Sequence, residues 1–197
     1  MVKREHDLSS HRQVSYAEYL ERPEATEPAE LINGVLYNMT PTPSPQHQRV
    51  VRELMTLFHS YLKGKSCEVF SAPFDVRLFA EGKNDDEVFD VVQPDVFVVC
   101  DKNKIDHRGC NGSPDLVIEA LSPATLKRDK VEKMHLYRLA KVKEYWIVDP
   151  DRGFIDTYVF LEDRFPEIRT YTAADQDVIR VRLFEDLEIV LSDVFHF

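Results

Sequence analysis

Apolar and polar positions follow two different periods along this chain. From Ser44 to Gly64 the apolar positions recur every three to four residues, placing His47, Val51, Leu54, Phe58 and Tyr61 on one face, which predicts a helix. Ser44 supplies its N-cap, Pro45 fits its first turn and Gly64 can end it. Earlier, Ser15 can cap a short helix, YAEYLE, stopped by Pro23. ELINGVLYNM reads as a hairpin, because Asn33-Gly34 is the preferred residue pair for a type I′ turn between apolar arms. Residues 1–14 show little periodicity and are expected to form a flexible N-terminal segment, with 15–197 as a single domain.

After Gly64 the period shortens to that of strands. CEVFS is one, and in APFDVRLFA the side chains Val76, Leu78 and Ala80 alternate against Asp75, Arg77 and Phe79. EGKNDDE is a turn or loop, and residues 101–113 form a long polar connection of the kind that is often functional or mobile. Between them, DVVQPDVFVV enters the central sheet, and SPDLVIEALSP follows as its neighbour. A second long helix is predicted in SPATLKRDKVEKMHLYRLAKV, beginning after Ser122 and running to about Ala140. At the helical period Leu126, Lys130, Lys133, Tyr137 and Ala140 share one face, with Met134 at its edge. The strand KEYWIVDP carries Tyr145 and Trp146 into the core and ends in a turn at Asp149-Pro150. From Gly153 onward FIDTYVFL, EIRTYTA, DVIRVRLF and LEIVL form a meander, with LSDVF as a last short helix. The expected fold is α/β (α+β), with a mixed central β-sheet flanked by helices and a C-terminal β-meander.

Three residues break the apolar pattern in a way that calls for chemistry. Asp95 and Glu119 stand in the two central apolar runs as inward acids, and Lys133 stands in the middle of a helix stripe. Unpaired carboxylates are costly to bury and are usually met by a base or a metal. A lysine at an inward position needs an anion, and these two acids are the anions available. Asp129, one turn before Lys133, reads as a helix-supporting acid-then-base pair. Oxygen ligands of this kind suit a hard divalent ion, which can activate water and clamp a phosphoryl group.

Pro94-Asp95, Ser113-Pro114-Asp115-Leu116, Glu119, Leu121-Ser122-Pro123, Asp129, Lys133, Tyr137 and EYWIVDP at 144–150 together resemble the Uma-two family, a restriction-endonuclease-like branch of the PD-(D/E)XK nuclease superfamily. The resemblance runs from about Ser15 to Leu191. It implies a restriction-endonuclease-like core and a metal-dependent endonuclease that hydrolyses DNA phosphodiesters. Asp95, Glu119 and the backbone carbonyl of Ala120 would then hold Mg²⁺, with Mn²⁺ as a substitute. The superfamily motif places a lysine two residues after the second acid, and here that position is Leu121, so the lysine role passes to Lys133. The resemblance also puts an acid at the place of Glu30 near the cleft, and a histidine at the place of His47. His47 could orient a carboxylate or touch a phosphate near the start of its helix, and equally it could be a satisfied core residue. Glu30 is equally readable as an exposed strand acid.

Composition bounds these readings. With 43% hydrophobic residues the chain can build one sizeable core, and no apolar run approaches the roughly 20 residues of a membrane span. Cys67, Cys100 and Cys110 lack metal-ligand spacing, and an odd count suits packing residues in a reducing cytoplasm. Thirty-five acids against 25 bases give a net charge of −10, which is unusual for a nucleic-acid binder. From Lys127 to Lys143, however, seven bases stand against two acids, and this ridge is either a phosphate-facing surface or a solvated helix face. Lys102, Lys104 and Arg108 offer the same two alternatives. The expectation is weak, non-specific, salt-sensitive DNA binding and a homodimer formed through meander edges. A nuclease fold retained as a binding or assembly module is the alternative. Ser122 has no partnered base and there is no glycine-rich phosphate loop, so a serine hydrolase and an NTPase are both disfavoured.

Overall fold

The computed structural model describes residues 12–23, 28–39, 42–162 and 164–196. Helix α1 (Tyr16–Leu20) begins at Ser15, whose side chain and that of Glu18 form a reciprocal capping box. Strands β1 (Ala29–Ile32) and β2 (Val35–Asn38) form the expected hairpin, with Asn33 at φ 50° and Gly34 at φ 74°. Gly34 is required twice over, since a Cβ there would also lie 2.5 Å from Cβ of Gln13. Gln13 reaches the Asn33 carbonyl, and the Val14 amide donates to the Gly34 carbonyl at 2.8 Å. Residues 12–14 therefore lie against the hairpin, while residues 1–11 of the segment expected to be flexible fall outside the described residues.

Helix α2 (Pro45–Leu62) starts where Ser44 caps the His47 amide. Its buried stripe is His47, Val50, Leu54, Phe58 and Leu62, so Val51 and Tyr61 sit at the flank rather than the centre. Strands β3 (Glu68–Ser71), β4 (Val76–Arg77), β5 (Val91–Val92) and β6 (Val96–Val99) follow. The run expected as one strand, 90–99, is two. Pro94 cannot donate to a ladder and restricts Gln93, and the chain leaves one sheet at Val92 to enter another at Val96. APFDVRLFA likewise forms a strand only over Val76–Arg77 and then turns at Leu78-Phe79, where Phe79 takes a positive φ of 55°. The polar connection carries two short strands, β7 (Ile105–Asp106) and β8 (Gly109–Asn111), before β9 (Leu116–Ala120).

The second long helix differs most from expectation. Residues Arg128–Lys133 are π-helical and run directly into α3 (Met134–Leu139). The wider turn shifts the inward face upstream, so Asp129 is buried at 2% exposure while Leu126 is exposed. Strands β10 (Glu144–Asp149), β11 (Phe154–Val159) and β12 (Glu167–Thr172) come next. The meander then divides: β13 (Val178–Arg180) and β14 (Glu188–Val190) leave to form a ribbon of their own, closed by α4 (Leu191–Val194).

The central sheet has the order β12-β11-β10-β9-β6-β3, with β9 and β10 parallel and every other pair antiparallel. A second sheet, β2-β1-β5-β4-β8-β7, carries the hairpin. Alternation along β6, β9 and β10 separates two cores. Val96, Val98, Leu116, Ile118, Trp146 and Val148 pack with Leu54 and Phe58 of α2. Phe97, Val99, Val117, Tyr145 and Ile147 pack with Leu136, Tyr137 and Ala140 of the other helix. Each fully buried Val, Leu, Ile or Phe among them stabilises the fold by about 1.5–3 kcal/mol relative to exposure. This is the mixed α+β architecture the sequence predicts.

Cysteine pairing corrects a second expectation. Glu68 lies opposite Val99 in the β3–β6 ladder, so the next pair outward is Cys67 and Cys100, and they form a disulfide. Cys110 alone is a free buried thiol, and burial pushes its pKa up to about 12.

Candidate active site

The register that sets the sheet also sets the acids. Val96 lies opposite Ile118, and continuing the ladder by one residue brings Asp95 to the level of Glu119. Odd-numbered positions of β6 and β9 face the helix that carries Lys133, so Glu119 points to that side, while Asp95, ahead of its strand, meets His47 on α2. Glu119 is within its strand and 4% exposed, as expected. Asp95 is not in a strand interior: it sits at the lip, just before β6, with 22% of its side chain exposed.

Lys133 is the hub of the buried part. Its Nζ lies 2.7 Å from Glu30 Oε1, 2.9 Å from Glu119 Oε1 and 3.7 Å from Asp129 Oδ1. Glu30, on β1, comes from the second sheet, and the Gln93 backbone amide holds the same Oε1 at 3.0 Å. Tyr137 O–H donates to Glu119 Oε1 at 2.7 Å. At the lip, Asp95 Oδ2 accepts from the Ala120 amide at 2.8 Å and lies 3.2 Å from His47 Nε2. The five predicted side chains thus fall into two groups, Glu30, Glu119 and Lys133 in the interior and His47 with Asp95 at the lip, which meet at the backbone of Ala120.

The charge balance of this group is uneven, with three buried carboxylates around one ammonium. Burial would pull the Lys133 pKa down, but Glu119, Glu30 and Asp129 outweigh it and hold it well above its ordinary value. Burial pushes Glu119 well above the usual carboxylate range, with Lys133 opposing, and Asp129 is raised for the same reason. Burial would lower the His47 imidazole, yet the hydrogen bond and charge of Asp95 raise it. Tyr137 is raised well above its ordinary value by burial and by Glu119, so it acts as a hydrogen-bond donor.

Sequence reading missed Asp129 and Tyr137 as members of the site. They stand four residues before and four after Lys133, and that i, i+4 spacing of polar groups about an inward lysine is the signal that could have found them. Asp129 is set by the π-helical turn, and Tyr145 O–H holds its carbonyl at 3.0 Å. Its Oδ1 is buried without a hydrogen-bond partner.

Other predicted groups do not converge here. Lys102 pairs with Glu68, Arg108 with Asp85 and Lys104 with the Ser113 carbonyl. Along the basic ridge Lys143 pairs with Asp115, Lys130 lies 3.8 Å from Asp156 and Arg128 stacks on Tyr37. Asp149 accepts from the Asp151 and Arg152 amides, the turn role assigned to it, and Trp146 is core, donating to Glu144.

The donor set fits a hard cation in kind. Among the described residues, Glu30, Glu119 and Asp95 each commit one oxygen to protein hydrogen bonds and leave the other without a protein partner. No three His, Cys, Asp or Glu side chains among the described residues form a metal cage of their own. Mg²⁺ is commonly held by one or two carboxylates with water and substrate oxygens completing its shell, so two acids and a carbonyl suffice.

A family model described as "Putative restriction endonuclease", Uma2, matches residues 16–192. An uncharacterized protein of Synechocystis sp. is 29% identical over 165 residues, 83% of each chain. The crystal structure described as a "putative nuclease belonging to DUF820", from Anabaena variabilis, aligns with a TM-score of 0.73 over 93% of this chain and 98% of that one. At 19% identity, that likeness shows the fold. Among the described residues no helix is long and apolar enough to cross a membrane.

Proposed function

The chain belongs to the Uma2 family, and from that premise we propose that it is a Mg²⁺-dependent endonuclease hydrolysing DNA phosphodiesters. The observation that carries the reading is the pair Glu30 and Glu119 around Lys133 with Asp95 at the lip, each of the three with one oxygen pinned and one left over. Asp95, Glu119 and the Ala120 carbonyl are the residues that would hold the metal, with Mn²⁺ as a substitute. Bound there, a divalent ion would polarise the phosphate and favour ionisation of an attacking water.

The chain's own groups supply the rest. Lys133 stays an ammonium between its carboxylates, so it orients the water and offsets negative charge on the phosphate rather than accepting a proton. The water's proton passes to the partnerless oxygen of Glu30 as its oxygen bonds to phosphorus, and the bond to the leaving oxygen breaks, that oxygen taking a proton from solvent water to leave as an alcohol. Tyr137 fixes Glu119, and the Gln93 amide fixes Glu30, so neither acid is free to swing. His47 fixes Asp95 and, when protonated, presents positive charge at the lip where a phosphate would enter.

A second reading rests on a different observation. Lys102, Arg108, Lys130 and Lys143 lie with carboxylates of the chain itself, which leaves a modest basic surface for nucleic acid. That favours weak, salt-sensitive binding, and a module with little catalysis fits it as well; a two-fold dimer would bring two sites to a duplex. Calorimetry with Mg²⁺ and Mn²⁺, joined to a supercoiled-plasmid nicking assay, separates the two. The nuclease reading expects metal binding and nicking in the wild type, with both lost in Asp95→Ala/Glu119→Ala and nicking lost in Lys133→Ala. Equal, poor metal binding by wild type and double variant, with no nicking by either, establishes the module instead.

A further inference from the structure

Next to the acid group, joined to it through Gln93, lies a cleft of about 290 Å³ walled by Phe74, Asp75, Gln93, His107, Arg108 and Gly109. It shares one residue with the site: the Gln93 amide holds Glu30, while the Gln93 side chain forms the cleft wall. Asp95 is two residues further on, so the chain places the two Cα atoms no more than about 7 Å apart.

Hydrogen bonding in this wall is incomplete. Gln93 Nε2 donates to Asp75 Oδ1 at 2.7 Å, and since a carboxylate accepts, the amide orientation is fixed with Oε1 as the spare acceptor. Gln93 Oε1 has no partner, and neither has Arg108 Nε, although Arg108 Nη1 is anchored on Asp85. An unpaired acceptor and an unpaired donor in one shielded wall are costly, and a ligand offering both a donor and an acceptor would relieve them. Phe74 adds an aromatic face, held against Phe70 and Phe97 at ring-centroid distances of 4.9 and 5.6 Å. Two further acids, Asp75 and Asp106, disfavour a phosphate within the cleft but not an uncharged ring bearing N–H groups. Gly109 is needed for the wall to close, since a Cβ there would lie 2.2 Å from the Asp75 carbonyl oxygen.

We propose that this cleft is a nucleobase subsite, in which a base next to the scissile phosphate stacks on Phe74 and is hydrogen-bonded by Gln93 and Arg108. The assignment rests on the nuclease reading for its purpose, but the cleft binds a base whether or not the acids cut. The volume, at the small end of the roughly 300–1,000 Å³ of ligand clefts, suits one ring system with its sugar. Reading an extruded base through an aromatic face and a polar edge is an established way for a protein to handle an unpaired nucleotide.

Titration of metal-free protein with deoxyadenosine and deoxycytidine, followed by amide chemical shifts, tests this without any phosphate. The expected result is saturable shifts at Phe74, Gln93 and Arg108, about tenfold weaker in Gln93→Ala, which retains the backbone amide that holds Glu30. Phe74→Leu should weaken binding as well, and the melting temperature of each variant verifies that it folds. No shifts at millimolar nucleoside, shifts unchanged in both variants, or shifts at the cleft with spermidine alone would overturn the proposal. If the wild type nicks plasmid while nucleosides leave the cleft silent, the subsite fails and the nuclease reading stands. If nucleosides bind at the cleft and nothing is cut under Mg²⁺ or Mn²⁺, the nuclease reading fails and the subsite stands.

Discussion

Lys133 approaches Glu30 at 2.7 Å and Glu119 at 2.9 Å, and these two acids belong to different sheets. One ammonium therefore fastens the hairpin sheet, the central sheet and the helix between them, so the centre of the candidate chemistry is also a structural joint.

Removing that joint should be costly. Lys133→Ala leaves three carboxylates buried without a counter-charge, and breaking such a pair typically costs about 3–5 kcal/mol. Adding Glu30→Gln should restore part of the loss, because the residues act as a unit. Urea unfolding of the two single variants and the double variant measures this, and strict additivity would show that the contacts are independent.

Tyr137→Phe isolates one hydrogen bond. It leaves Glu119 Oε1 short of a buried donor, with an expected loss of about 1–3 kcal/mol. If Tyr137 only fixes Glu119, nicking activity should fall less in this variant than in Lys133→Ala. A larger fall would give the phenol a direct part in the reaction.

His47 gives a pH dependence with a defined sign. Its folded pKa is raised, so its stabilising contribution is complete below the unfolded value, near 6.5, and is lost as pH rises through the folded pKa. In EDTA, the stability difference between wild type and His47→Gln should be largest in mildly acidic buffer and shrink towards alkaline pH. A difference that is flat or grows with pH would mean that the imidazole is neutral beside Asp95.

The Cys67–Cys100 bond is checked by counting thiols. Denatured without reductant, the chain should show one reactive thiol, that of Cys110, and three after reduction. The bond spans 33 positions, so Cys100→Ser should cost roughly 3–4 kcal/mol on a chain-entropy basis.

What the sequence made legible was local. The Asn33-Gly34 turn, the Ser44 cap and the strand around Glu119 follow from neighbouring residues, and each is found where expected. What it hid depended on distant pairing or on a change of period. Cys67 meets Cys100 only once the β3–β6 register is fixed, and the break at Pro94 matters because the strands on its two sides join different sheets. Asp129 escaped because a stripe drawn at 3.6 residues per turn runs past a turn that is wider than that.

That wide turn has a consequence for how this helix tolerates change. Its two halves are phased separately, so substitutions upstream of Asp129 and those downstream of Lys133 answer to different faces of the protein. Six residues of a π-helical turn cover about the angle that five cover in an α-helix, so loss of a single residue between Arg128 and Lys133 would let the segment relax to an ordinary α-helix while everything before it kept its facing. The acid would then stand three positions before the lysine instead of four, and Leu126 would stay on the outside. In this stretch the helix can absorb a lost residue without rephasing its ends, so a deletion here should prove less damaging than one within Met134–Leu139.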